Sequence, residues 1–280
     1  MKKRLLRRVR TGDVIRFLLL FGCAAVFCFP LFRMVTLSLM GAQDLYASTP
    51  RLVPSAIRLD AYRTVLSGSV PLFSYLKNTV IMAVGITALQ LLLSSMAAFS
   101  LAVLDIPLKK ALLVFIISSM MIPFEATMVS NYLLVAGLNL RNTYLGLMLP
   151  FFASPAGVFL MRQQFLSLPQ AIYDAAAIDG CKSFRLFFQV LLPLSKGALA
   201  SLGVFSMVSA WNQYIWPLII TDKNEMRTVQ VGIAMLQGLD FSDYSVVMAG
   251  MVILLIPCLL IFILGHKFFV SELMAGAVKG

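Results

Sequence analysis

Long apolar runs separated by short polar segments dominate the chain. Six runs stand out, at residues 17–40, 79–104, 111–122, 143–161, 198–220 and 246–264. A helix needs about 20 apolar residues to cross the hydrocarbon core of a bilayer. The pattern therefore predicts an all-α membrane protein with six transmembrane helices in a single transmembrane domain over residues 1–280.

Prolines interrupt two of these predicted spans. Pro123 and Glu125 follow the third apolar run, and the chain becomes apolar again at residues 133–140. Pro150 and Pro155 lie within the fourth run. Proline lacks a backbone N–H, so we expect neighbouring helices to shelter the carbonyl groups that these residues leave free.

The composition supports a membrane protein and argues against a nucleic-acid partner. Of 280 residues, 60% are hydrophobic and 12% are charged, and the mean hydropathy is +0.91. A soluble domain would carry about 25% charged residues. The formal net charge of +11 comes mainly from Lys and Arg that flank the apolar runs, where basic residues report topology.

The distribution of basic residues predicts the orientation. Lys and Arg are about twice as frequent in the segments that are cytoplasmic when the N-terminus is inside, beginning with residues 1–10. Six spans place both termini on the same side. We therefore expect a multi-pass membrane protein with both termini in the cytoplasm.

The segment between the fourth and fifth runs, residues 167–196, is called the elbow here and is more polar than its surroundings. The sequence predicts two short helices joined at Gly180, because glycine takes backbone angles that other residues resist. Ser167 is expected to cap the first helix with Gln170 in a capping box, and Ser183 to cap the second.

The surface of the elbow suits a docking element. Three consecutive alanines, Ala175–Ala177, leave one face with almost no side-chain bulk, so another protein could approach closely. Pro193 is expected to end the second helix. The alternative is an ordinary amphipathic helix at the membrane surface.

One motif in the elbow resembles a known signature. Asp174-Ala175-Ala176, Gly180 and Val190-x-Leu192-Pro193 have the spacing of the Glu-Ala-Ala, Gly, Ile-x-Leu-Pro pattern of binding-protein-dependent ABC importer permeases. Asp174 replaces Glu and Val190 replaces Ile. The resemblance implies the type I importer permease fold, with the elbow as a coupling helix that docks on a separate ATPase subunit. The residues that it implies for coupling are Asp174, Ala175, Ala176, Asp179, Gly180, Leu192 and Pro193.

The chain has no motif for its own chemistry. There is no phosphate-binding G-x-x-x-x-G-K-[ST] loop, His266 is the only histidine, and the four cysteines lack metal-ligand spacing. We therefore expect no catalytic residue, no metal site and no cofactor on this chain. If ATP drives it, ATP and Mg²⁺ bind to a partner subunit.

Candidate substrate contacts lie near the end of the fifth span. Trp211, Asn212 and Tyr214 combine aromatic rings with an amide, which suits a sugar, and Gln90 lies on the second span. The alternatives are an interfacial aromatic belt and helix packing. Glu125 is the one acidic residue in a largely apolar region, where solvation, an ion pair and a role in the pathway all stay open.

The resemblance also extends to WNQYIWPL and to the C-terminal AGAVKG, which are similar to the carbohydrate-uptake branch of these permeases, including the second membrane subunit of the maltose transporter. That branch implies a second permease subunit in a heterodimer, two ATPase subunits and an extracytoplasmic binding protein that faces an external loop at residues 221–243. The alternative function is a secondary transporter or channel driven by an ion gradient.

Overall fold

The computed structural model describes residues 11–67, 71–238 and 244–277, and all regular secondary structure within them is helical. The basic N-terminal segment, residues 1–10, and the last three residues of AGAVKG, residues 278–280, lie outside the described residues. An all-α fold is confirmed.

Two compact units make up the chain. One comprises residues 1–70 and 236–253, and the other comprises residues 71–235 and 254–280. Each is described separately below. The expectation of a single permease domain over the whole chain stays a prediction.

The first unit begins with α1 (Thr11–Ser38), a helix of 28 residues that contains most of the first predicted span. Its apolar side chains are largely exposed, and Phe27 is 80% exposed, as suits a helix that faces lipid or another subunit. At its end, the Ser38 hydroxyl lies 2.7 Å from the Tyr62 hydroxyl of α3 (Asp60–Leu66). This bond ties α3 to the end of α1.

A buried carboxylate organises the loop between α1 and α3. Asp44, in the short helix α2 (Ala42–Leu45), accepts hydrogen bonds from the Ser55 N–H at 2.9 Å and the Ser55 hydroxyl at 2.8 Å. Arg51 pairs with the same carboxylate at 2.7 Å. The Arg33 guanidinium donates to the carbonyl oxygen of Arg51 at 2.8 Å, so charged groups fix this loop to the end of α1.

The second unit is built around α4 (Leu72–Ala102), a helix of 31 residues that packs against α8 (Pro155–Leu166) and α12 (Lys196–Trp211). Two clusters of buried side chains lie along it. One cluster comprises Met82, Ala83, Ile86, Val135, Leu147, Ala210, Trp211, Trp216 and Ile220. The other comprises Ala98, Phe99, Met161, Phe165, Phe187, Leu191, Ala198 and Leu202.

The third and fourth predicted spans are both bent. α5 (Lys109–Ser119) meets α6 (Phe124–Gly137) at 96°, with Pro123 immediately before α6. The segment Tyr144–Phe151, which consists of α7 (Tyr144–Met148) and a 3₁₀ turn, meets α8 at 54°. The predicted interruption at Pro123 is therefore confirmed.

The fifth span is also broken, and the prediction of one continuous helix over residues 198–220 is wrong. α12 ends at Trp211, and α13 (Ile215–Ile220) begins after three non-helical residues. Pro217 explains the position of the break, because it cannot donate to the carbonyl of Gln213 and its ring crowds that carbonyl.

Two further helices follow α13 in the chain, α14 (Val229–Gly238) and α15 (Tyr244–Ala277). Among the described residues, two helices are long and apolar enough to cross a membrane alone, Ile15–Ser38 and Leu72–Ala102. Up to five segments qualify if each bent pair counts as one span. The count of six spans stays a prediction.

The described part of the predicted external loop, residues 221–238, is pinned to neighbouring helices. The Asn142 side-chain oxygen accepts the backbone N–H groups of Asp222 at 2.8 Å and Lys223 at 3.0 Å. The Asn78 amide, on α4, donates to the carbonyl of Glu225 at 2.6 Å. Residues 239–243 of the predicted loop lie outside the described part.

Candidate coupling elbow and substrate cavity

The first helix of the elbow is α9 (Gln170–Ile178). The turn predicted at Gly180 follows two residues after its end. Gly180 has a φ of +62°, the left-handed region that favours glycine. The N–H of Gly180 bonds to the carbonyl of Ala177 at 3.1 Å, and the N–H of Cys181 bonds to that of Ala176 at 2.9 Å. These two bonds form a Schellman motif, which ends the helix and turns the chain sharply.

Neither of the predicted serine caps is formed. The Ser167 hydroxyl donates to the carbonyl of Gln164 at 2.8 Å, so it bonds to the end of α8, and Pro169 occupies the N-cap of α9. Ser183 is already the first residue of α10 (Ser183–Arg185), with no side-chain cap before it. Both capping predictions are wrong, because a serine hydroxyl next to a helix end bonds equally well to carbonyl groups behind it.

The second half of the elbow continues as a π-helical turn, Leu186–Leu191, and the short α11 (Leu192–Leu194). Pro193 therefore lies in the last turn of this helical stretch, which ends one residue beyond it. The stretch Ser183–Leu194 then meets α12 at 80°.

Most of the residues that the family motif implies for coupling are exposed. Exposed are Asp174, Ala175, Asp179, Gly180 and Pro193. Ala176 is buried and Leu192 is half-buried. Beside them Ile178 is 87% exposed at the tip of α9, which makes the end of this helix a small apolar projection flanked by two carboxylates.

The base of the elbow is anchored in the second core cluster. Phe187 is 4% exposed and its ring centroid lies 5.3 Å from that of Phe99 on α4. The Tyr173 hydroxyl donates to the carbonyl of Phe165 on α8 at 2.7 Å, and burial raises the pKa of this phenol, so it stays a donor at neutral pH. The elbow is thus exposed at its tip and packed against two long helices at its base.

A cavity of about 490 Å³ lies where three helix breaks of the second unit meet. Phe124 and Glu125 come from the α5–α6 bend, Phe151 from the 3₁₀ turn, and residues 212–214 from the α12–α13 break. Broken helices at membrane depth are tolerated where they line such a cavity. The complete lining is Ile86, Gln90, Phe124, Glu125, Met128, Phe151, Ser206, Ser209, Ala210, Asn212, Gln213, Tyr214, Ile215 and Trp216.

Aromatic rings form one side of the cavity. The ring centroid of Phe124 lies 4.8 Å from that of Phe151 and 6.0 Å from that of Trp216, with the Phe124 and Trp216 planes at 86°. The Trp216 indole N–H donates to the carbonyl of Gly146 at 3.2 Å, which fixes its orientation. Edge-to-face rings held in this way are a rigid apolar surface.

Polar groups on the cavity wall are only partly satisfied. Gln90 donates to the carbonyl of Phe151 at 2.7 Å and so supplies a partner to the broken fourth span. The Ser206 hydroxyl and the Gln213 side-chain oxygen are buried and have no protein partner. Burying a polar atom without a hydrogen-bond partner costs free energy, so each of these two atoms requires a partner such as water or a ligand hydroxyl.

Three of the four predicted substrate contacts line this one cavity, namely Gln90, Asn212 and Tyr214. Trp211 does not, although both tryptophans are buried in the first core cluster, Trp211 at 3% and Trp216 at 2% exposure, and Trp216 lines the cavity. Ser206 and Phe151 were not predicted; Pro150 beside Phe151 is the one sequence signal for this pair. The roles of all these residues in transport stay predictions.

Comparison with known proteins identifies the family. Residues 90–273 match the family model described as the binding-protein-dependent transport system inner membrane component. The arabinooligosaccharides transport system permease protein AraQ of Halalkalibacterium halodurans is 32% identical over 97% of this chain and 99% of its own. The sn-glycerol-3-phosphate transport system permease protein UgpE of Rhizobium meliloti is 32% identical over 94% and 96%.

A solved structure shows the same fold. It is the crystal structure of a bacterial ABC transporter involved in the import of the acidic polysaccharide alginate. One of its chains superimposes with a TM-score of 0.81, covering 94% of this chain and 99% of its own at 22% identity. The chain therefore belongs to the family of inner-membrane components of binding-protein-dependent transport systems.

Proposed function

We propose that this chain is one permease subunit of an ATP-driven sugar importer in the bacterial cytoplasmic membrane. Family membership and the names of the relatives support a transport role. The observation that carries the proposal is the elbow, which presents the motif residues at an exposed tip while its base is packed against α4 and α8. The sequence has no phosphate-binding loop, which supports the proposal that ATP and Mg²⁺ bind to a separate ATPase subunit.

The complete importer would contain this chain, a second permease subunit, two ATPase subunits and an extracytoplasmic binding protein. The bias of basic residues supports cytoplasmic termini and a cytoplasmic elbow, where ATP is available. The elbow tip docks on one ATPase subunit through Ile178 and the surface around Ala175 and Gly180.

Coupling follows from the way in which the elbow is attached. When the ATPase pair closes on ATP, force on the tip passes through Phe187 and Tyr173 into α4 and α8, and α4 also lines the cavity through Ile86 and Gln90. ATP binding thereby favours one orientation of the helices over the other, as alternating access requires.

A carbohydrate is the substrate class that the cavity supports. Its aromatic side offers flat rings for the C–H faces of a sugar, and its amides and serine hydroxyls offer partners for sugar hydroxyls. The sugar-transport names of the relatives support the same class.

Replacing Gly180 by valine tests the coupling role. A Cβ atom at Gly180 meets nothing within 4 Å in this chain, so valine there opposes the positive φ and adds bulk only to the proposed docking surface. We expect Gly180→Val to insert into the membrane but to lose most ATP-driven uptake in proteoliposomes that contain the whole importer. Gly137→Val is the matched control, because that glycine also has open space and has no positive φ.

Normal ATP-driven uptake by Gly180→Val would show that the elbow does not couple the two subunits. Uptake by this chain alone in liposomes, driven by an ion gradient without an ATPase, would contradict the proposed function altogether.

A further inference from the structure

The lining of the cavity carries a single side chain with a formal charge. Glu125 is the only acidic residue among the lining residues, and none of them is Lys, Arg or His. No ion pair found among the described residues includes Glu125. The wall that this chain contributes is therefore negative and has no cation to compensate.

Glu125 lies in the first turn of α6, a helix of 14 residues, where the partial positive charge of the helix N-terminus favours an anion. Its side chain is exposed to the cavity, so water solvates the charge. Because Glu125 itself occupies this helix end, an incoming anion would meet a negative charge there.

The remaining polar groups suit uncharged hydroxyls. Ser206 is 2% exposed, and neither its hydroxyl nor the Gln213 side-chain oxygen has a protein partner. The Gln213 oxygen can only accept a hydrogen bond, so it requires a donor such as a hydroxyl. An ionised phosphate or carboxylate group placed against this oxygen offers only acceptors, whereas a sugar hydroxyl there can donate to it.

We propose that this cavity wall selects an uncharged, hydroxyl-rich sugar and disfavours sugars that carry a phosphate or a carboxylate. This inference rests on the proposed function, because it takes the cavity as part of the substrate path. It also extends the proposed function. The similar proteins include transporters named for anionic and for uncharged compounds, so family membership leaves the charge of the substrate open.

A pair of probes that differ only in charge tests the selection. One is a disaccharide with a single uronic acid, and the other is its methyl ester, which is uncharged and of nearly the same shape. Binding is measured by calorimetry on the purified importer complex in nanodiscs, without the binding protein, so that only the membrane cavity discriminates. In the unmodified complex we expect the ester to bind about tenfold more tightly than the acid.

Three variants assign that difference to Glu125. Glu125→Gln should bring the two affinities within about twofold of each other, while Glu125→Asp, which keeps the charge, should preserve the preference for the ester. Glu225→Gln removes an exposed carboxylate that does not line the cavity, and it should also preserve the preference.

Equal or tighter binding of the acid to the unmodified complex would overturn the inference. A preference for the ester that persists in Glu125→Gln would also overturn it, as would the failure of both probes to bind. If the same complex still couples uptake to ATP hydrolysis in these cases, the proposed function stands and only the charge selection fails.

Discussion

The Tyr173 hydroxyl of α9 donates a hydrogen bond to the carbonyl oxygen of Phe165 on α8 at 2.7 Å. This bond joins the exposed helix of the elbow to a helix that packs along α4. A force applied at the tip of α9 can therefore reach the long helices without passing through the turn at Gly180. This attachment is the physical basis of the coupling proposed above.

Removal of this bond should lower the ratio of uptake to ATP hydrolysis and cost only a little folding stability. Tyr173→Phe keeps the ring and deletes one hydrogen bond, which costs about 1 kcal/mol. We expect fewer substrate molecules imported per ATP hydrolysed, measured as the ratio of uptake to phosphate release in proteoliposomes. Ser167→Ala is the control, because its hydroxyl bonds only to the carbonyl of Gln164 within the end of α8. An unchanged ratio in Tyr173→Phe would show that the bond transmits nothing.

Two neighbouring phenylalanines should differ sharply in their effect on stability. Phe187 is 4% exposed in the second core cluster, whereas Phe184 is 76% exposed. Phe187→Ala leaves a void and should cost about 3–5 kcal/mol, and Phe184→Ala should cost about 0.5 kcal/mol or less. Thermal unfolding of the two purified variants measures the difference. Similar melting temperatures would contradict the anchoring of the elbow by Phe187.

Close packing of α8 against α4 and α12 depends on Gly157. A Cβ atom there would lie 2.6 Å from the hydroxyl oxygen of Ser94 and 3.1 Å from a methyl group of Leu202. Gly157→Ala should therefore destabilise the protein by about 1–3 kcal/mol, since the helices must move apart. Gly137→Ala, where a Cβ meets nothing within 4 Å, should have no such effect on the melting temperature.

The loop after α1 should lose stability in acid through Asp44. The backbone N–H of Ser55 is the main cause that holds the pKa of Asp44 below its ordinary value of 3.8, followed by the Ser55 hydroxyl, with a smaller contribution from Arg51. Because the pKa is lower in the folded loop, the ionised carboxylate stabilises the loop above pH 3.8, and this stabilisation disappears as the pH falls through the lowered value.

Asp44→Asn should therefore make the loop easier to cleave by a protease at neutral pH. Pulse proteolysis from pH 7 down to pH 3 should show the variant and the unmodified protein converging at the acid end. Asp60→Asn, at a side chain that is 72% exposed, should match the unmodified protein throughout. A constant difference between Asp44→Asn and the unmodified protein at all pH values would contradict this role.

Strong local signals made parts of the fold predictable. Pro123 ended a run of apolar residues and marked a real bend, and Gly180 marked the turn of the elbow because few other residues adopt its backbone angles. The break after Trp211 was not predicted. Pro217 lies six residues further on, and its effect on the carbonyl four residues before it is hidden in an otherwise apolar run.

The cavity was only partly predictable, because it depends on how separate breaks meet. Asn212 and Tyr214 attract notice as polar and aromatic residues in a span, and both line the cavity. Trp211 and Trp216 look equivalent in the sequence and both are buried in the first core cluster, yet only Trp216, beyond the break, also lines the cavity. Ser206 carries no sequence signal at all, since serine is ordinary in packed membrane helices.

Labelling of Cys181 tests the central claim most directly. This cysteine follows Gly180, is partly exposed and forms no disulfide. With Cys23, Cys28 and Cys258 replaced by serine, a membrane-impermeant maleimide should react with it only in inside-out vesicles, and bound ATPase subunits should slow that reaction. Reaction in right-side-out vesicles, or a rate that the ATPase subunits leave unchanged, would contradict a cytoplasmic elbow that docks on the ATPase.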